Sequence, residues 1–201
     1  MTLLRERTEG GIEVLRLNRP DVRNAFDTAL IGALTRALDE LAADDSLRVL
    51  VLSTTSPVAL SAGADVAEPL TPEGGIARMR AFSRLYAALE AFPVPTVAVC
   101  VGNVVGAGAE LAAGCDLRVG GDNLKLGWVG ARLGVPVGVA RLVPLVGEAV
   151  AKELIFTGRV LDADGADALG LLTRRAPAAE AEAAALALAS EVAANSPDGL
   201  R

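Results

Sequence analysis

VVGAGAELAAGCD, residues 104–116, is built almost wholly of small or apolar side chains, yet Glu110 stands in its middle. A buried charge without a partner costs several kcal/mol, so this carboxylate is exposed, paired, or kept for chemistry. The stretch follows VPTVAVCVG (94–102), an apolar run of the kind found in buried strands, and leads into a second strand, CDLRVGG. Between them GAGAELAA offers good helix formers after Gly108. Strand, helix and strand in this order favour an α/β layout with a largely parallel sheet.

The same alternation extends outward in both directions. GIEVLRLNRP (11–20) sets Ile12 and Val14 around Glu13, and Leu15 and Leu17 around Arg16, a period-two pattern broken at Val14–Leu15 that reads as a strand ending at Pro20. Asp27 is placed to N-cap an amphipathic helix carrying Leu30, Leu34, Leu38 and Leu41 at helical intervals. RVLVLSTT (48–55) reads as a further buried strand, and SPVALSAGADVAE as the loop after it. Thr71 and Pro72 open a helix running through MRAFSRLYAALEAF. Beyond the opening stretch, LKLGW reads as a short strand or turn. Helical pieces follow at GVARLVPLVG, EAVAKELIFTG and DADGADALG, then LLTRR (171–175) as a last strand and APAAEAEAAALALASEVAAN as an Ala-rich helix. No sequence repeat is visible.

Composition narrows the function. With 201 residues, 52% hydrophobic and 22% charged, the chain can bury a substantial core in one domain or one domain with a small appendage. A net charge of -6, with no Lys/Arg run interleaved with aromatics, sets nucleic acid aside. No apolar run is long enough to span a bilayer, and MTLLRERTEG is charged where a signal peptide needs an apolar region, so a cytoplasmic protein is expected. Cys100 and Cys115 show no metal-ligand spacing and read as packed thiols. The chain has no histidine, which removes Ser-His-Asp and Cys-His schemes and most zinc sites. Acid–base work falls to carboxylates, Tyr86, lysines or cysteines.

GAGAEL (106–111) first suggests a dinucleotide fingerprint, but the third small position is Leu111 and no suitably spaced acid ends a later strand. A helix beginning near Gly106 would instead aim the backbone N–H groups of Ala107 and Gly108 out of its positive end, an anion or oxyanion site. SAGADV offers a second donor, because Ala62, Gly63 and Ala64 leave the backbone approachable. Two such N–H groups could grip one carbonyl oxygen with Glu110 beside it. The plainer reading is that the small residues allow tight packing and Glu110 stabilises a helix N-terminus; both stand on the residues alone. Asp116 reads as a buried structural contact, Asp65 as a cap or loop-fixing group, Trp128 as core or pocket wall, and Arg132 and Arg141 as solvated or ion-paired.

Taken in order, LNRPDVRNAF, SAGADVAE, GNVVGAGAELAAGCDLRVG, LGVPVGVARLVPLVG and ELIFTGRVLDADGADALGLL resemble the enoyl-CoA hydratase/isomerase (crotonase) family from end to end. The resemblance implies a crotonase-like ββα superhelix that binds an acyl-CoA thioester, with coenzyme A part of the substrate and neither metal nor separate cofactor. It implies an oxyanion hole from the N–H groups of Ala64 and Ala107, the latter standing where many members have Gly, and it makes Glu110 the first catalytic glutamate. It also implies that Arg23 and Ala25 lie along the CoA nucleotide, and that Ala62, Gly63, Asp65 and Val66 line the pantetheine and adenine. A homo-oligomer, trimer or hexamer, is the implied assembly.

Two departures stand out. The family's second glutamate falls at Gly130, in WVGARLG, where members read close to Q-P-E. Against the family's usual length the chain stops early, at SPDGLR, which implies a core domain over 1–175 and a shortened C-terminal helical region over 176–201. The expected function is an acyl-CoA thioester enzyme of hydratase or isomerase type that stabilises a thioester enolate with one glutamate. The alternative is a non-catalytic acyl-CoA-binding or partner subunit that has lost the second acid.

Overall fold

The structure is a computed structural model that describes residues 1–135 and 140–200. Strand β1 (Leu3–Thr8) pairs antiparallel with β2 (Ile12–Leu17). The apparent break at Val14–Leu15 is no break in the strand. Ile12, Val14 and Arg16 share one face and Glu13, Leu15 and Leu17 the other, because side chains alternate strictly along a strand, and both faces are covered. Ile12 and Val14 join a valine-rich cluster, Leu15 and Leu17 a leucine-rich one. The charged members find partners: buried Glu13 receives Arg5 and Arg7 of β1, and Arg16 pairs with Glu6 and Glu182. β1 escapes a sequence reading because Arg5, Glu6 and Arg7 are exposed and mask its alternation.

Asp27 caps α1 (Thr28–Ala42), its carboxylate accepting the Leu30 N–H at 2.7 Å. Leu30, Leu34, Leu38 and Leu41 are all buried, each stabilising the fold by about 2 kcal/mol. Then come β3 (Val49–Thr54), β4 (Ala59–Ser61) and α2 (Pro72–Glu90), the last capped by the Thr71 hydroxyl. The chain repeats the pattern with β5 (Thr96–Cys100), β6 (Asn103–Val105) and α3 (Ala107–Gly114), and again with β7 (Leu117–Gly121), β8 (Lys125–Gly127) and the short α4 (Val143–Val146). Helices α5 (Glu148–Thr157) and α6 (Ala163–Ala168), strand β9 (Arg174–Ala176) and helix α7 (Ala181–Ala193) complete the described fold.

Each repeat sends its first strand to a six-stranded sheet, β1-β2-β3-β5-β7-β9, and its second to a three-stranded one, β4-β6-β8. Apart from β1–β2, the pairings are parallel. This is a ββα superhelix, and its repetition is one of structure that the sequence does not repeat. Two strands correct the sequence reading: β4 lies inside SPVALSAGADVAE, expected as loop, and β6 inside GNVV. At three residues each, they are too short to display a period. Of GVARLVPLVG (138–147), residues 138 and 139 lie outside the described residues and 143–146 form α4.

The large sheet is covered on both faces. Leucines of β2 and β3 face α1 and α2, whereas Val49, Val51, Val97, Val99 and Val119 face α7. Helix α7 meets them with Leu188 and with Ala181, Ala185 and Ala189, three small side chains that let it lie close to the sheet. The boundary expected at 175/176 falls within β9, and α7 beyond it covers the second face. Buried Arg118 donates to the carbonyls of Ala112, Cys115 and Leu171, fastening the C-terminal end of α3 to β7 and the segment before β9. Cys100 and Cys115 are free and buried, and burial pushes both thiols up, away from reactivity. No helix among the described residues is long and apolar enough to cross a membrane.

The close contact of α7 with the sheet predicts a positional contrast. Ala189→Leu should cost about 1–3 kcal/mol by overpacking, whereas Ala187→Leu, on the exposed face of the same helix, should stay within about 0.5 kcal/mol of the parent. Urea unfolding of the two variants measures the difference, and equal stabilities would contradict the packing.

Candidate active site

Two loops and one helix build the site. Arg23 and Asn24 both adopt left-handed backbone, at φ 52° and 54°, a conformation costly for most side chains. Asn24 offsets this through its buried amide, whose nitrogen donates to Thr54 Oγ1 at 2.7 Å and the Leu60 carbonyl at 3.0 Å while its oxygen accepts the Arg19 N–H at 2.7 Å. The Arg23 carbonyl then accepts the Ala62 N–H at 2.8 Å. Phe26 forms an isolated parallel bridge with Ala64, donating to the Gly63 carbonyl at 2.7 Å and accepting from Asp65 N–H at 2.9 Å. In a parallel bridge the flanking residues take those bonds, so the N–H of Ala64 is turned to the opposite side. It finds no acceptor among the described residues.

Helix α3 starts against that loop. Gly106 is its N-cap, and the N–H of Ala107, at the first helical position, also has no acceptor among the described residues. The approach is possible because two residues lack side chains. A Cβ on Gly108 would lie 2.8 Å from the Ser61 carbonyl oxygen, and one on Gly63, at φ +96°, would lie 3.0 Å from that of Val105 and 3.6 Å from the Ala107 nitrogen. The two loops anticipated as donors therefore converge, and both open onto a cavity of about 410 Å³.

The cavity is lined by Ala62, Gly63, Ala64 and Val66 of the first loop, Ala107 and Glu110 of α3, Phe82 and Tyr86 of α2, and buried Gly130. Three anticipated residues do not line it. Arg23 is exposed and reaches the site only through its carbonyl. Ala25 is buried, its carbonyl taken by Arg19. Asp65 pairs with Arg19 at 3.1 Å and accepts the Ala67 N–H, the loop-fixing role that its position suggested. Asp116 is also structural, accepting both the N–H and hydroxyl of Thr96 at 2.7 Å, but it is exposed where a buried contact was expected.

Glu110, in the first turn of α3, is 5% exposed. Its Oε2 accepts from Arg141 Nε at 2.7 Å, and Arg141 Nη1 donates to Glu90 at 2.6 Å while its guanidinium lies 4.4 Å from the centre of the Tyr86 ring. Burial pushes the Glu110 carboxyl above the usual range; the Arg141 charge and hydrogen bond oppose the rise, as does the Trp128 indole. Burial and then the Glu110 charge push the Tyr86 phenol up, leaving it an uncharged wall. Arg141 is what residue-by-residue reading undervalued. Its one signal was a cation inside the mostly apolar GVARLVPLVG, which nothing in the sequence ties to Glu110. Chemically, two unpaired N–H donors beside a buried carboxylate can hold an oxygen that gains negative charge and move a proton next to it.

A family model described as enoyl-CoA hydratase/isomerase matches residues 7–201. A putative enoyl-CoA hydratase of Thermus thermophilus is 41% identical over 204 residues, covering 96% of this chain and 79% of its own length. A methylglutaconyl-CoA hydratase of Rattus norvegicus mitochondria is 37% identical over 176 residues, covering 84% of this chain, and this chain spans 55% of that relative's length. The crystal structure of an enoyl-CoA hydratase from Bacillus anthracis superimposes with a TM-score of 0.94 at 28% identity, covering 98% of this chain and 78% of the other.

The Arg141–Glu110 pair makes stability depend on pH in a defined direction. A carboxyl raised by folding costs stability as pH climbs from its ordinary value through the raised one. Arg141→Met removes an influence that lowers it, so the variant's deficit should be larger at pH 8 than at pH 5, by about 1.4 kcal/mol for each further pH unit that the carboxyl is pushed up. Urea unfolding at the two pH values tests this, and an equal deficit would separate Arg141 from the ionisation of Glu110.

Proposed function

The chain belongs to the enoyl-CoA hydratase/isomerase family, and from that premise we propose that its cavity holds an acyl-CoA thioester with the carbonyl oxygen between the N–H groups of Ala64 and Ala107. The observation that carries this reading is the convergence of those two unpaired donors and a buried glutamate on one cavity. Negative charge grows on a thioester oxygen as the neighbouring carbon loses a proton or gains a nucleophile at its β-position. Donors already aimed at that oxygen, one of them at the positive end of α3, stabilise the enolate without reorganising.

Glu110 is the acid–base group of this proposal, moving a proton at the carbon beside the carbonyl or activating a water for addition. It sits three residues after Ala107 on the same helix, so donor and carboxylate are held by one rigid element. Phe82 and Tyr86 supply an apolar wall for the acyl chain. Coenzyme A is assigned to the Ala62–Val66 segment and the adjoining Arg23–Ala25 loop hydrogen-bonded to it, with the exposed Arg23 available to a phosphate and Asp65 bracing the loop. No cofactor beyond the coenzyme A of the substrate enters this scheme. Relatives named enoyl-CoA and methylglutaconyl-CoA hydratases support enoyl thioesters as the substrate class.

Gly130 favours a second reading. It lines the cavity where the family's second acid is expected, so hydration shared between two carboxylates would here fall to one. A protein that binds acyl-CoA without turning it over, alone or as a partner subunit, would show tight binding and no reaction across a substrate panel. The two readings separate in one set of experiments. Calorimetry should detect crotonyl-CoA binding, and binding of no CoA thioester would sink both. Loss of enoyl-thioester absorbance should reveal hydration that Glu110→Gln lowers by roughly 10²- to 10⁴-fold. Gly130→Glu should raise hydration if only the second acid is missing, and turnover indifferent to Glu110→Gln would contradict its role.

A further inference from the structure

Glu110 Oε1 and Trp128 Nε1 are both buried and both without a hydrogen-bond partner among the described residues. They are complementary: an indole N–H only donates, and an ionised carboxylate only accepts. The indole stands near enough to favour the charged form of Glu110, yet the pair stops short of hydrogen-bond geometry. Trp128 directly precedes Val129 and Gly130, which line the same cavity as Glu110, and two complementary polar atoms buried there without partners are each costly alone and cheap together. Trp128 is 1% exposed and fixed at the end of β8, so its ring cannot turn to solvent for another partner.

We infer that Trp128 is a positioning residue for Glu110, its indole N–H donating to Oε1 when the carboxylate is ionised, so that Arg141 and Trp128 hold the group from its two oxygens. This deepens the proposed function and rests on it for the identity of the reacting carboxylate. Oε1 keeps a second lone pair, which leaves it able to take a proton from a substrate while the indole holds it. The groups around Glu110 among the described residues are few. Arg141 precedes α4, Glu90 and Tyr86 belong to α2, and Trp128 follows β8. Of these the indole alone carries no charge and only donates, so it can favour the carboxylate without competing for its proton.

Trp128 is the chain's single tryptophan, which gives the contact an optical readout independent of turnover. In unliganded protein, tryptophan emission should change sigmoidally between pH 4.5 and 9 at constant circular dichroism, with a midpoint above the ordinary Glu value of about 4.3. Glu110→Gln should abolish that transition. A flat wild-type emission, or a transition that survives Glu110→Gln, would overturn the inference whether or not the protein turns over any thioester.

The kinetic counterpart is Trp128→Phe, which keeps a ring but removes the N–H. Where turnover is measurable, the acid limb of its pH–kcat/KM profile should move up by about one pH unit, a tenfold loss below the midpoint that is recovered at higher pH. A uniform loss with an unmoved midpoint would mark Trp128 as packing only and would equally overturn the assignment.

Discussion

The fold turns on one close approach, the N-terminus of α3 lying against β4 with no side chain between them. Gly108 sits where any Cβ would strike Ser61, and Gly63 where one would press on Val105. With bulk at either position the helix would have to lift, and the unpaired N–H of Ala107 would leave the loop that carries Ala64. Everything behind the contact serves to hold it. Asn24 ties the first loop to β3 and β4, the Phe26 bridge sets the direction of Ala64, and Arg118 fastens the far end of α3. The site is thus a by-product of packing two backbones at the shortest distance that sterics allow.

Gly130 changes the electrostatics of that site as much as its chemistry. A second carboxylate in the same buried space would repel the first and push the pair's proton affinities apart. Without it, the charge of Glu110 is answered chiefly by Arg141, itself shared with Glu90. Among the described residues the cavity is therefore lined by one acid, whose ionisation is set by burial against the Arg141 guanidinium and the Trp128 indole.

Much of this was readable in the residues. The leucines of α1, the Asp27 and Thr71 caps, the apolar β3 and β5, and the small-residue helix start before Glu110 are local signals, written within a few positions of one another. What was hidden was non-local or too short. β4 and β6 have three residues each, β1 buries its pattern under charges paired to other elements, and the broken period of β2 records a strand covered on both faces. The partnership of Arg141 with Glu110 spans 31 residues and the two strands β7 and β8. Side-chain type announced a cation there, but only the path of the chain decides which carboxylate it meets. The same holds for Arg23, Ala25 and Asp65, which stand beside the cavity wall and brace it from behind.

The charges that conceal β1 have another effect. A six-stranded sheet ends in two rows of unpaired backbone groups, each an invitation to a neighbouring chain. Here one edge is β1, with Arg5, Glu6 and Arg7 locked into ion pairs, and the other is β9, three residues long and bearing Arg174 and Arg175. Neither presents a flat apolar strand for another molecule to extend. The ion pairs that obscure the first strand thus also guard that edge of the sheet against edge-to-edge aggregation.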